Sequence, residues 1–502
     1  MWRLKSLFWN WLTVRKFHFN KPRHIPVPTD TAWQIRRIPF VQKYSEIPIS
    51  NIPVADHIPP DETKRLPLLF IKFQAFLYRV FPPEEPGLPS IDSDPLVAVA
   101  RAYGPGYRKC LPGPVVPEEY QGWIDLGYLA VAGPYSCYLQ RAPEGGYEWD
   151  LRDLGCYECH PGLRTLGVRV LFGVDEDARC LVPVGIDCEL GWCTPTDPEW
   201  ELAQKIALCA ATTHLSLVRH FNGIHLALVA QVAIATRNIL PANHCVRRLL
   251  WPHLWGTQYS NELVMQVFMM KGGDFEGTFS FTHAGLCKLF ADSYEKYDIR
   301  VIDPLVDAER RGILDGELDL PALENRRAHL EVFRTHTRRY LDLYYSCDQD
   351  LREDVPLQKW VNELNNLVPG GVNRLLGDKI TIDGAARLIA AYIYVGTVEH
   401  EVLGTGLWNY QLWTNVQPIR AYQDGRREPI DVYQRLVNYN VILNVRRAPL
   451  LQDFSYLALD AGGAAAFSRF QADLYALQAR LESEVHACWK ICPKILEVGV
   501  NT

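Results

Sequence analysis

DPEWELAQKIALCAATTHLSLVRHFNGIHLALVAQVAIATRNILP, residues 197–241, decides the fold. Apolar side chains fall on every face of this stretch and breakers are few, which is the pattern of a long helix buried inside a large body. The Asp197 carboxylate can cap it, Pro198 fits its first turn and Pro241 stops it. The longest apolar run, Ile224 to Ala235, is broken by His225 and Gln231 and is too short to span a bilayer, so no transmembrane helix is expected. Three histidines, His214, His220 and His225, punctuate the middle of the helix.

Downstream of it, helical patterns are expected over residues 261–270, 282–297, 326–345, 355–367, 382–403, 429–443 and 463–489. Upstream, residues 120–195 read as β-rich, with short runs at 128–131, 168–172 and 180–186 between Gly, Pro and Asp turns. Residues 1–65 are punctuated by proline and read as an extended arm, followed by an amphipathic stretch over 66–80. The expected organisation is an N-terminal arm and helix over 1–85 and one large, mainly α domain over 86–502 with a small β-containing lobe.

The 502 residues carry a net charge of −6, which argues against a nucleic-acid surface, because phosphate binding needs clustered cations in excess. One local basic patch exists. Residues 1–29 hold Arg3, Lys5, Arg15, Lys16, Lys21 and Arg23 with no acid before Asp30, interleaved with Trp2, Leu4, Leu7, Phe8, Trp9, Trp11 and Leu12. That pattern suits either an arm packed on the protein's own surface or peripheral contact with an anionic membrane. It is not a secretory signal, so a cytoplasmic protein is expected. Thirteen cysteines, an odd number, fit reduced thiols. The cluster Cys156, Cys159, His160 with Cys180, Cys188 and Cys193 is read as structural in preference to haem attachment or zinc.

Several histidines on two apolar helices, His400 on 382–403 joining those of the long helix, are harder to dismiss than one buried histidine. Imidazole nitrogens with a carboxylate oxygen are the donors of non-haem iron sites that keep open positions.

The ordered series Trp200-Glu-Leu-Ala, His220, His225, Arg237, Leu240-Pro241, His244, Leu249-Leu250-Trp251-Pro252-His253, Thr257, Asn261 resembles the signature of lipoxygenases. Further matches are Arg310-Arg311-Gly312, Tyr344-Tyr345, Leu357-Gln358, Trp360, Ile393-Tyr394 leading to His400, and the run from Phe470. The resemblance covers about residues 90–502 and leaves no room for that family's N-terminal β-sandwich. It implies a metal held by two histidines of the long helix, a third on a later helix, an Asn or His one turn further on, and a C-terminal carboxylate. Carried over, these point to His214, His220, His400 and Thr502, with His225 and Glu401 as alternative ligands. Two departures stand out. His214-x5-His220 replaces the family's H-x4-H, a spacing that His220 and His225 do have, and Gly404 has no side chain to offer as fourth ligand. His244 and His253 are expected to be structural.

The chemistry implied is hydrogen abstraction from a polyunsaturated fatty acid or related polyene by non-haem iron, or manganese, followed by dioxygen insertion. The departures leave two other readings open: an iron enzyme with altered chemistry on a hydroperoxide or secondary metabolite, and a non-catalytic lipid-binding descendant.

Overall fold

A computed structural model describes residues 24–30, 34–62, 125–175, 180–377, 379–403, 418–425, 448–484 and 490–500, with isolated positions elsewhere before residue 82. Gly404, Cys488, Thr502, the helix expected over 429–443 and most of the stretches 1–29 and 66–80 lie outside the described residues.

Helices dominate. Helix α1 (Leu126–Ala132) replaces an expected strand over 128–131, because the Asp125 carboxylate accepts from Tyr128 N and starts a helical turn instead. A five-stranded antiparallel sheet follows in the order β3 (Gln140–Arg141), β4 (Tyr147–Asp150), β5 (Arg169–Asp175), β6 (Cys180–Cys188) and β7 (Gly191–Cys193), after a two-stranded ribbon β1 (Arg37–Pro39) and β2 (Pro53–Ala55) in the N-terminal region. Trp149 and Phe172 of the sheet are buried against Tyr135 and Tyr138, which fastens this small lobe to the helical body.

The central helix α2 runs Trp200–Ile239, 40 residues with 89% of its most apolar window buried inside the protein. It begins two residues later than the sequence implied. Asp197 Oδ2 turns back to accept from Thr194 N and Oγ1, both at 2.7 Å, so it closes the preceding turn and does not cap the helix. Residues Leu215–Val229 of α2 adopt the wider π geometry, with i→i+5 hydrogen bonds.

Around α2 pack α3 (Cys245–Leu254), α4 (Thr257–Val264, with a π turn Met265–Met269), α5 (His283–Glu295), α6 (Pro304–Arg310), α7 (Pro321–Leu341), α8 (Val355–Leu367), α9 (Ile382–Tyr394, with a π turn Val395–Glu399 and helix to residue 403) and α10 (Ala461–Ser483). Asn222, inside the π segment, donates to Phe290 O and Ser293 Oγ of α5 and so pins the widened backbone to its neighbour.

The described part of the N-terminal arm is packed down. Trp251 Nε1 donates to Pro26 O, Lys43 pairs with Glu262 at 2.5 Å, and Glu62, fully buried, pairs with Arg237. At the other end Leu496, Val498 and Val500 are buried, and Val498 O accepts from His253 Nδ1 at 2.5 Å. The glycine beside them is obligatory: a Cβ on Gly499 would lie 2.4 Å from His253 O.

Candidate metal centre

In an α-helix, residues five apart are turned about 140° from one another around the axis. The i→i+5 bonding of the π segment narrows that angle, and His220 and His225 come to one side with ring centroids 5.1 Å apart. His400 enters from α9 directly after its own π turn. Its ring lies 4.7 Å from that of His220 and 5.1 Å from that of His225. One ring nitrogen of each lies within 4.8 Å of the others, and among the described residues this is the group of His, Cys, Asp and Glu side chains able to hold a metal ion.

The site is dry, and the rings of His220 and His225 are neutral. All three histidines are buried. Burial, reinforced by the neighbouring rings, pushes His220 well below the ordinary imidazole range, and burial with His400 brings His225 to about 3. His225 is also oriented. Asn261 of α4 donates Nδ2 to His225 O at 3.1 Å, which turns its Oδ1 toward His225 Nδ1 at 2.9 Å. An oxygen there accepts only, so Nδ1 carries the proton and Nε2 keeps its lone pair. That Nε2 lies 3.2 Å from His400 Nε2, while His220 Nε2 is buried with no hydrogen-bond partner. Converging imidazole nitrogens in a water-poor interior, one of them without a partner, are the donor set that a borderline divalent metal takes. The residues present fit iron or manganese.

The structure does not place His214 in this group. Six residues before His220, it faces a different side of α2, where Tyr138 Oη lies 3.0 Å from its Nδ1. Glu401 also stays outside, its carboxylate 3.8 Å from His400 Nδ1 and beyond hydrogen-bond length. Thr502 lies outside the described residues, two positions beyond buried Val500. His244 caps α3 through Nδ1 and meets Asp354 with Nε2, and His253 holds the C-terminal segment. The cysteines at 156, 159, 180, 188 and 193 form no donor group among the described residues.

Next to the histidines lies a cavity of about 290 Å³. It is bounded by Gly223 and Ile224, which separate His220 from His225 along α2, and by Val395, Glu399 and Leu403 of α9. His214 and Arg219 also line it, as do Lys296 and Asp153, an exposed pair 2.7 Å apart. Two contributors carry no role in the sequence reading. Asn261 stands in the quoted series without one, and Arg219 was signalled only by being a cation inside an apolar, buried run.

A sequence model of the lipoxygenase family matches residues 191–300. The chain is 27% identical over 262 residues to polyunsaturated fatty acid lipoxygenase ALOX15 of Mus musculus, covering 50% of this chain and 39% of that protein. It is 24% identical over 322 residues to linoleate 9S-lipoxygenase 2 of Oryza sativa subsp. japonica, covering 56% and 37%. To the manganese lipoxygenase of Pleurotus sapidus it is 22% identical over 230 residues, covering 44% and 35%. The match therefore spans well under half of each of these relatives. Coral 8R-lipoxygenase superposes with a TM-score of 0.74 at 15% identity, over 95% of this chain and 83% of that one, which shows the fold. The matched sequence falls on the helix that carries His220 and His225 and on Asn261, and the backbone follows the lipoxygenase course around them: the chain is similar to the lipoxygenase family over residues 191–300 and has the fold of its catalytic domain.

Proposed function

We propose that this protein is a non-haem iron dioxygenase, with manganese the alternative metal, acting on a polyunsaturated fatty acid or related polyene. The observation that carries the reading is the convergence of His220, His225 and His400, buried, with His220 Nε2 left without a hydrogen-bond partner. The names of the relatives support the substrate class, two being called lipoxygenases of polyunsaturated fatty acid or linoleate, and a third supports manganese as alternative. In this reading His220, His225 and His400 hold the metal, and Thr502 supplies a carboxylate oxygen in a chain that ends there. When bound, the metal supplies the one-electron chemistry that removes hydrogen from a bis-allylic carbon.

The chain's own residues do the rest. Asn261 fixes the tautomer and direction of His225, and the apolar packing around the rings excludes water. The overall balance is RH + O2 → ROOH: one C–H bond breaks, one C–O bond forms, and the hydrogen ends on the peroxide, so no external reductant is consumed. Membrane contact through residues 1–29 belongs to the same proposal, supported by the exposure of Leu4, Leu7 and Trp11 beside the cations of that stretch.

The test is metal analysis of the purified chain together with oxygen uptake and conjugated-diene absorbance on linoleate and arachidonate. Metal with dienes is the expected result. Absence of iron and manganese sinks the reading. Metal with oxygen-independent turnover of a fatty-acid hydroperoxide favours the altered-chemistry reading, which the sequence supports through Gly404.

A further inference from the structure

Arg219 precedes His220 in α2 and lines the cavity beside the histidines. Among the described residues it has neither a hydrogen bond nor an ion pair, although it lies in the fields of Asp307 and Glu399. Both of those carboxylates are already taken. Asp307 accepts from Arg310 and Arg311 at 2.7 and 2.9 Å, and Glu399 accepts from Tyr394 Oη at 2.8 Å and faces Arg326 Nε at 3.4 Å. In the interior, then, three guanidiniums, those of Arg219, Arg311 and Arg326, share two carboxylates. A guanidinium does not shed its proton, and a cation drawn from water without a counter-ion is costly. The surplus charge calls for an anion, and the cavity is where one can enter. Its planar fork of donors matches a carboxylate, and Val218, Ile224, Leu289, Val395 and Leu403 supply an apolar wall for what the carboxylate is attached to. The exposed pair Lys296 and Asp153 marks the opening.

We propose that Arg219 anchors the carboxylate of an acyl-chain ligand at the buried end of this cavity, so that the ligand class is the free carboxylic acid and its acid group sits inward. This rests on the fatty-acid reading above. The alternative anchor for an acid group is Lys296, which would leave it at the opening.

Equilibrium binding to the full chain as purified, without oxygen, tests this by displacement of a fluorescent fatty-acid probe with linoleic acid and with its methyl ester. A charge-assisted bidentate contact worth about 1.5–3 kcal/mol makes the acid bind roughly 10- to 100-fold more tightly than the ester. Arg219→Leu should erase that preference by weakening the acid alone, and Arg219→Lys, which keeps the charge without the fork, should keep part of it. Equal binding of acid and ester by the unaltered protein overturns the proposal and needs no variant to fold. So does a preference that survives Arg219→Leu, or one that disappears in Lys296→Met. Because no turnover is read, the two proposals fail separately: acid preference lost with Arg219→Leu in a protein that takes up no oxygen upholds the anchor and sinks the oxygenase reading.

Discussion

At the scale of single residues, the histidines divide by what their second nitrogen does. His225 has Asn261, His253 has Val498 O, and His214 has Tyr138, so one residue type serves as a candidate donor, a structural clamp and a cavity wall. His225→Ala and His400→Ala are expected to lose stoichiometric metal, whereas His214→Gln should retain it; elemental analysis of the three variants decides the ligand set. Asn261→Leu removes the acceptor that orients His225 and should weaken metal affinity about 10- to 100-fold, read by competition with a chelator. The resemblance singled out His220 and His400, which fall on the family's second and third histidine positions. It left His214 against His225 open. That choice depends on where α2 widens, and no local propensity records a shift from i→i+4 to i→i+5 bonding that is held by Asn222 reaching across to α5.

Among the elements, the buried helices were the most legible. Helix α8 occupies residues 355–367 as expected, and α2 and α9 were placed to within a few residues, because long apolar patterns with prolines at their ends leave little freedom. Short pieces were not. Residues 128–131 read as strand from their composition, yet the Asp125 cap makes them helix, and Asp197 serves the turn before α2 and not α2 itself. The C-terminal segment was legible only as a possible donor at Thr502. Its docking depends on contacts far away in sequence: His253 to Val498, Leu450 N to Leu496 O, and Val498 N to Ala448 O. Gly499→Ala should therefore be expensive for so small a change, since the added carbon meets backbone that cannot yield. A loss of about 1–3 kcal/mol in denaturant unfolding is expected, with earlier proteolysis near the C-terminal end of the chain. An unchanged midpoint would mean that the segment is not clamped as described.

At the scale of the whole molecule, burying so many imidazoles ties stability to pH. Burial brings His214 and His225 to about 3 and His253 and His329 to about 4, against about 6.5 in an unfolded chain. As pH falls below that unfolded value, the unfolded chain takes up protons that the folded one refuses, so stability falls, by about 1.4 kcal/mol per pH unit for each such group. Above pH 7 these groups contribute no slope. Urea unfolding of metal-free protein at a series of pH values between 7.5 and 5 (roughly the window set by these shifts) should show a steep fall; a flat profile would mean that the rings are solvated. The pair at the cavity opening has a different consequence. Asp153 belongs to a turn of the sheet-bearing lobe and Lys296 follows α5, and the two side chains meet mostly in water. Contacts of this kind are weak and fade with added electrolyte, while an acid seated on Arg219 inside would feel that screening far less. Ionic strength should thus act as a throttle on traffic, speeding both arrival and departure of the ligand in stopped-flow traces while leaving occupancy at rest nearly where it was.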